Sequence, residues 1–155
     1  IQTSPMIMEF VIDKDEKLFL LESVPEFGGE FIPDVMIPAA TGYNHIRNSI
    51  NASTGINFRE PGKKFLNVPV VVKYITGEHG ILASCNTDTV KKLNGIIFSR
   101  IFKDIGANIS PPASNHDRLG VIVAKGKTLE DAIEIAEFAE SKMNIRIRKN
   151  ETNEN

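Results

Sequence analysis

The sequence has no tryptophan, one cysteine and no apolar run near the length of a membrane span, which is about 20 residues. The lone Cys85 cannot form an internal disulfide, so a reducing, cytoplasmic setting is expected and Cys85 is read as a small hydrophobe. Charge of one sign is missing too: 18 Lys and Arg stand against 20 Asp and Glu, a net charge of -2. With no basic stripe and no interleaved aromatics, a nucleic-acid partner is excluded from the reading. The three histidines are scattered and no second cysteine joins them, so there is no zinc spacing. No G-x-S-x-G elbow frames a serine, and no glycine loop is followed by G-K-[ST]. The amino end lacks the basic segment and apolar stretch of a signal peptide. Its first residue is Ile1, and strand pattern begins almost at once, from which an upstream continuation of the polypeptide is expected.

What is present alternates. Met6, Met8, Phe10 and Ile12 interleave with Ile7, Glu9 and Val11, the period of a strand. "DKDEK" reads as a polar turn and Leu18–Leu21 as the returning strand of a hairpin. A loop with Gly28, Gly29, Pro33 and Pro38 comes next, and Thr41 or Asn44 caps a helix carrying Ile46 and Ile50 that stops near Gly55. "REPGKK" at 59–64 is turn-rich and basic, and the subdomain boundary is placed there. Beyond it, "VPVVVKYI" (68–75) and "GILASC" (80–85) read as a second hairpin, and "NGIIFSRIF" (94–102) fits strand and helix periods alike. A proline loop leads to the strand "RLGVIVAKG", and Thr128 caps a helix with Glu130 and Asp131 in its first turn, where the helix dipole favours negative charge. Ala132, Ala136 and Ala139, with Ile133 and Phe138, are expected on one face of it; "NIRIR" (144–148) returns as an edge strand. The fold class is α+β. Its parts are expected at 1–58, hinge 59–64, a small α+β subdomain at 65–149 and a frayed tail at 150–155.

Three carboxylates sit oddly in "FLLESVPEFGGEF" (19–31). If the hairpin turn centres on Asp15 and Glu16, Glu9 faces Glu22 with Cβ atoms about 4.5–5.5 Å apart, where like charges repel. A shared proton, a neighbouring cation or a divalent metal would offset that, and Mg²⁺ suits because it commonly takes one or two carboxylates. One residue of slip would instead send the glutamates to opposite faces. Gly28 and Gly29 either turn the chain or let its backbone approach a ligand closely. Arg118, in "HDR" before a strand, is either a surface charge or a group that a closing domain brings to an anionic substrate.

"MEFVIDKDEKLFLLESVPEFGGEF" followed by "TGYNHIRNSINASTG" resembles the carboxyl-terminal end of an ATP-grasp domain. The resemblance implies that Glu9 and Glu22 hold Mg²⁺ on the phosphates of ATP, the substrate. Two positions depart from the family pattern: Val24 stands where a metal-binding Asn is usual, and Glu26 where Arg is usual. Glu30 matches a position that acts on bicarbonate in biotin carboxylase, which implies substrate contact. "SPPASNHDRLGVIVAKGKTLEDAIEIAEFAESKM" is similar to the small domain that follows the ATP-grasp core in L-amino-acid ligases and biotin carboxylase. Over Met6–Ile147 the resemblance therefore implies a carboxyl-terminal fragment of a carboxylate–amine ligase, inactive by itself. A bicarbonate-activating enzyme and a non-catalytic binding module are the alternatives. The implied partners are a small carboxylate and an amine, or bicarbonate, together with an amino-terminal part of the same polypeptide; there is room for a homodimer and none for a membrane.

Overall fold

The structure is a computed structural model that describes residues 4–56 and 66–149. The chain divides into two compact units, Ile1–Leu66 and Asn67–Asn155. The expected hinge at 59–64 and tail at 150–155 lie outside the described residues.

In the first unit, β1 (Ile7–Ile12) and β2 (Leu18–Val24) form an antiparallel hairpin, as the alternation predicts. Its apolar side chains stay in the open: Phe10, Ile12, Leu18, Phe19, Leu20 and Leu21 are all exposed. A two-stranded hairpin is marginal in water by itself, so this one presents surface that other chain would stabilise. A π-helical turn at Ile32–Met36 runs into α1 (Ile37–Thr41), which stops where Gly42 adopts φ 76° and donates its N–H to the Pro38 carbonyl at 2.9 Å. Between the two cap candidates for the next helix, Asn44 is the one used. Its Oδ1 accepts from Arg47 N–H at 2.9 Å and opens α2 (His45–Ser53).

The second unit holds two three-stranded sheets. One runs β3 (Val70–Ile75), β7 (Gly120–Lys125), β5 (Ile96–Ile101), antiparallel throughout; the other runs β6 (Asn108–Ile109), β4 (Gly80–Ser84), β8 (Arg146–Arg148). Residues 94–102 thus resolve to a strand, and β8 is an edge strand as expected. The expected hairpin between 68–75 and 80–85 is not formed. β3 pairs with β7, and β4 pairs with β6 and β8, so Thr76–His79 carries the chain from one sheet to the other. The cause lies in β7: Val121 to Ala124 are fully buried, and a strand buried on both faces must be flanked on both edges.

α3 (Leu129–Lys142) lies against that sheet, capped by Thr128 as expected. Ala132, Ala136 and Ala139 form its buried stripe, which Met143 continues. Ile133 and Phe138 do not share this face; they are 42% and 52% exposed. Ile133 follows Ala132 and Phe138 precedes Ala139, each about 100° around the helix from its neighbour, so they flank the narrow alanine stripe that fits against the strands. Lys73 on β3 pairs with Glu140 on α3 at 3.2 Å. Cys85 packs against the core made by Leu82, Ile109, Leu119, Ile122 and Met143. No described helix is long and apolar enough to cross a membrane.

Candidate functional site

Glu9 and Glu22 are cross-strand partners. They arrive there by a route the turn reading missed. Asp13 organises the loop: its Oδ1 accepts from Asp15 N–H at 2.8 Å and Lys17 N–H at 2.9 Å, and Glu16 takes φ 60°. Near the turn the ladder therefore runs Ile12↔Leu18, Val11↔Phe19, Phe10↔Leu20, one residue off the expected pairing. An extra residue, Leu21, then restores the expected register from Glu9↔Glu22 onward. Paired residues project from the same face, so the two carboxylates face one another on an exposed hairpin. Their hard oxygens are the donors Mg²⁺ takes, and two carboxylates with water and phosphate completing the shell is an ordinary set for it. Among the described residues no third His, Cys, Asp or Glu joins them as a closed metal cage.

The loop after β2 keeps the expected candidates in one short segment. Glu26 N–H bonds back to the Val24 carbonyl at 3.0 Å, and Gly28 adopts φ 77°. Glu30 and Phe31 come next at φ 60° and 62°, two successive non-glycine residues in the left-handed region. Each such residue costs on the order of 1–2 kcal/mol, so the helical turn on their carboxyl side must impose the conformation. Phe31 is the turning point: its carbonyl accepts from Val35 N–H at 3.2 Å and Met36 N–H at 2.8 Å, which starts the π-helical turn. Phe27 is tied down separately, its ring edge-on to His45 at 5.5 Å, with Tyr43 at 6.1 Å from the same imidazole. In the sequence His45 is only one of three scattered histidines. Two aromatics, one two positions before the histidine and one on the preceding loop, were the available signal.

The two glycines separate cleanly. A Cβ on Gly28 would lie 2.4 Å from Ile7 Cδ1, at a positive φ; a Cβ on Gly29 would meet nothing within 4 Å. Gly28→Ala is therefore expected to lower stability by about 1–2 kcal/mol, whereas Gly29→Ala stays within about 0.5 kcal/mol of the original. Urea unfolding of both variants checks this, and equal midpoints would refute it.

Arg118 belongs to the second unit. Its guanidinium carbon lies 3.5 Å from the centre of the Tyr74 ring, a cation–π stack the sequence could not reveal because 44 positions separate the partners. An open cleft of about 640 Å³ lies at the start of α3, lined by Lys125, Gly126 and Lys127 among others. There Lys127 N–H, just before the cap, donates to Asp131 Oδ2 at 2.7 Å, and Asp131 N–H donates to Thr128 Oγ1 at 3.1 Å.

Residues 73–148 match a family model described as "L-amino acid ligase C-terminal domain 2". Solved structures with the same fold include phosphoribosylglycinamide synthetase from Anaerococcus prevotii, at TM-score 0.78 and 17% identity over 92% of this chain and 37% of that one. L-amino acid ligase from Bacillus licheniformis superposes at TM-score 0.73 and 16% identity, over 96% of this chain and 37% of that one. The biotin carboxylase domain dimer of 2-oxoglutarate carboxylase from Hydrogenobacter thermophilus, solved with MgADP and bicarbonate, gives TM-score 0.69 and 17% identity over 93% and 32%. No curated protein matches the chain. The chain spans less than two fifths of the length of these solved relatives.

Proposed function

We propose that this chain, whose fold is that of the carboxyl-terminal part of an ATP-grasp enzyme, serves an ATP-dependent carboxylate–amine ligase. The observation that carries the reading is the pairing of Glu9 with Glu22 on one face of the hairpin. In the proposed reaction a substrate carboxylate oxygen attacks the γ-phosphorus of ATP and ADP leaves. The amine nitrogen then attacks the acyl carbon, loses a proton and expels phosphate, leaving an amide or peptide bond. Glu9 and Glu22 would hold Mg²⁺, which when bound supplies positive charge next to the phosphate oxygens. Gly28 turns the backbone; Gly29, with open space above it, lets the main chain approach the nucleotide or substrate. Glu30, at the end of the same loop, contacts the substrate, and its left-handed backbone fits the habit of strained residues to cluster at such sites. Arg118 meets an anionic group of the substrate.

The exposed apolar hairpin supports a further part of this reading: the chain works as one end of a longer polypeptide and does not turn over ATP alone. The test is ADP release by the polypeptide at its native length, its mass first measured from the native source. With Mg²⁺ and ATP, release that requires both a carboxylate and an amine is the expected result. Release with bicarbonate and no amine would move the assignment to a bicarbonate-activating enzyme, a reading Glu30 favours. No release with any substrate would leave a binding module, with Val24 in place of a metal-binding amide as its explanation.

A further inference from the structure

Asn94 is the only asparagine in the sequence followed by glycine. The structure places the pair in the turn that leads into β5, where Ile96 N–H donates to the Leu93 carbonyl at 3.3 Å and Gly95 takes φ 87°. Glycine is required there. A Cβ at position 95 would lie 2.9 Å from the Lys125 carbonyl oxygen and 2.9 Å from Ile135 Cδ1, at a φ that side chains rarely adopt. The Gly95 carbonyl in turn accepts from Lys125 N–H at 2.8 Å, which ties the turn to β7. The fold thus fixes both flanks of the turn and keeps a residue without a side chain directly after Asn94.

The peptide linking the two residues is unrestrained among the described residues. Its carbonyl, that of Asn94, accepts no hydrogen bond there, and its N–H, that of Gly95, donates none. This peptide can therefore rotate without breaking a bond, and glycine tolerates either sign of φ as it does so. The Asn94 side chain is exposed and likewise makes no hydrogen bond among the described residues. Three other asparagines are tied. Asn44 Oδ1 accepts from Arg47 N–H at 2.9 Å, Asn86 Oδ1 accepts from Asp88 N–H at 3.1 Å, and Asn48 Nδ2 donates to the Asn44 carbonyl at 2.8 Å. Asn94 combines a freely turning carboxamide, a following main-chain nitrogen that no side chain shields, and access to water. Those are the requirements for that nitrogen to attack the carboxamide carbon.

We propose that Asn94 is a self-modification site that converts through a succinimide to isoaspartate and aspartate, with loss of ammonia. The Gly95 nitrogen gives its proton to hydroxide and bonds to Asn94 Cγ. The bond from Cγ to the side-chain nitrogen breaks, and that nitrogen takes up a proton and leaves as ammonia. Water then opens the ring. Addition at Cγ gives aspartate; addition at the main-chain carbonyl gives isoaspartate, whose main chain runs through Cβ and Cγ. One water is consumed, one ammonia is released, and nothing is oxidised or reduced. Either product places a carboxylate on the rim shared by two adjoining clefts, one holding Lys125 and Lys127 and the other Glu134 and Phe138. Isoaspartate also lengthens the main chain between Leu93 and Gly95 by one atom. That strains the Ile96-to-Leu93 and Lys125-to-Gly95 hydrogen bonds and loosens β5 where it begins. The conversion is independent of the function proposed above.

The experiment holds the folded polypeptide, at its native length, in mildly alkaline buffer at physiological temperature and samples it over days. Peptide mass spectrometry with electron-transfer fragmentation then locates each converted residue and separates isoaspartate from aspartate. Asn94 is expected to convert ahead of every other asparagine of this sequence, faster as the pH rises, with the gain of one negative charge on isoelectric focusing. Asn94→Gln, whose longer side chain would have to close a larger ring, should stay unconverted and keep its charge. Conversion of the other asparagines at the rate of Asn94, or conversion of Asn94 in urea and not in the folded chain, would overturn the proposal. Asn94→Asp supplies the charge without the lengthened main chain. It should unfold at the urea concentration of fresh protein, and the isoaspartate form, isolated by chromatography, at a lower one. Equal midpoints for those two would overturn the loosening of β5.

Discussion

Replacing Glu22 by Ala is expected to cut Mg²⁺- and ATP-dependent turnover of the intact polypeptide by roughly 10²–10³-fold, the usual loss when one preorganised electrostatic group is removed from a site of developing charge. The same substitution is expected to leave the fold as stable as before or raise its stability by a few tenths of a kcal/mol. Glu22 faces Glu9 across the ladder, both are exposed, and like charges placed opposite each other are mildly destabilising. The two outcomes therefore move in opposite directions, which a structural role would not produce. ADP release and urea unfolding, measured on one preparation, read both. Glu22→Gln refines the comparison because it removes the charge and keeps the side-chain shape; it should relieve the repulsion and lose the activity in the same way. Near-normal ATP consumption in either variant would defeat the assignment of this pair, and a fall of about 2 kcal/mol or more, on the order of a broken buried contact, would recast Glu22 as structural.

How far the site could be read from residues alone depends on the range of the interaction. The Glu9–Glu22 pairing was legible because period-two alternation and a polar turn are local signals, although the pairing next to the turn is one residue off the expected one. Leu21 absorbs the difference as a bulge, and nothing in an apolar run marks which residue will be the extra one. The left-handed backbone of Glu30 and Phe31 was not legible either, since neither residue type favours it. The pairing of β3 was misread for a related reason. A four-residue link holding a glycine looks like a hairpin, yet the competing partner, β7, lies some 45 positions on and is buried on both faces. In the helix, the alanine positions were read correctly, but adding Ile133 and Phe138 to them ranked hydrophobicity above angle.

Gly126→Ala is expected to cost about 3 kcal/mol or more, at the upper end for overpacking. Native stability is only about 5–15 kcal/mol, so a loss of that size is a large share of it. A Cβ at position 126 would stand 2.4 Å from Ala132 N, and 2.9 Å from both Ala132 Cα and Asp131 C. Those are backbone atoms in the first turn of α3, fixed by the Thr128 cap and by Asp131 accepting from Lys127 N–H, so no side chain can swing aside. Gly126 is held from its other side as well, its own N–H donating to the Pro69 carbonyl at 3.1 Å. The helix would have to retreat, and its stripe of Ala132, Ala136 and Ala139 would lose the contact that only small side chains permit. Gly106→Ala is the control: it has open space around it but φ 92°, so it should lose no more than about 1–2 kcal/mol, the ordinary penalty for a positive φ. Urea unfolding of both variants decides the matter, and a Gly126→Ala midpoint equal to that of the original chain would refute the packing account. The same contacts account for the "G-x-T-x-E-D-A" stretch at 126–132 that opens α3. Its glycine allows close approach, its threonine accepts from Asp131 N–H in the first turn and its aspartate accepts from Lys127 N–H just before the cap, so the motif works as a device for seating a helix on a sheet.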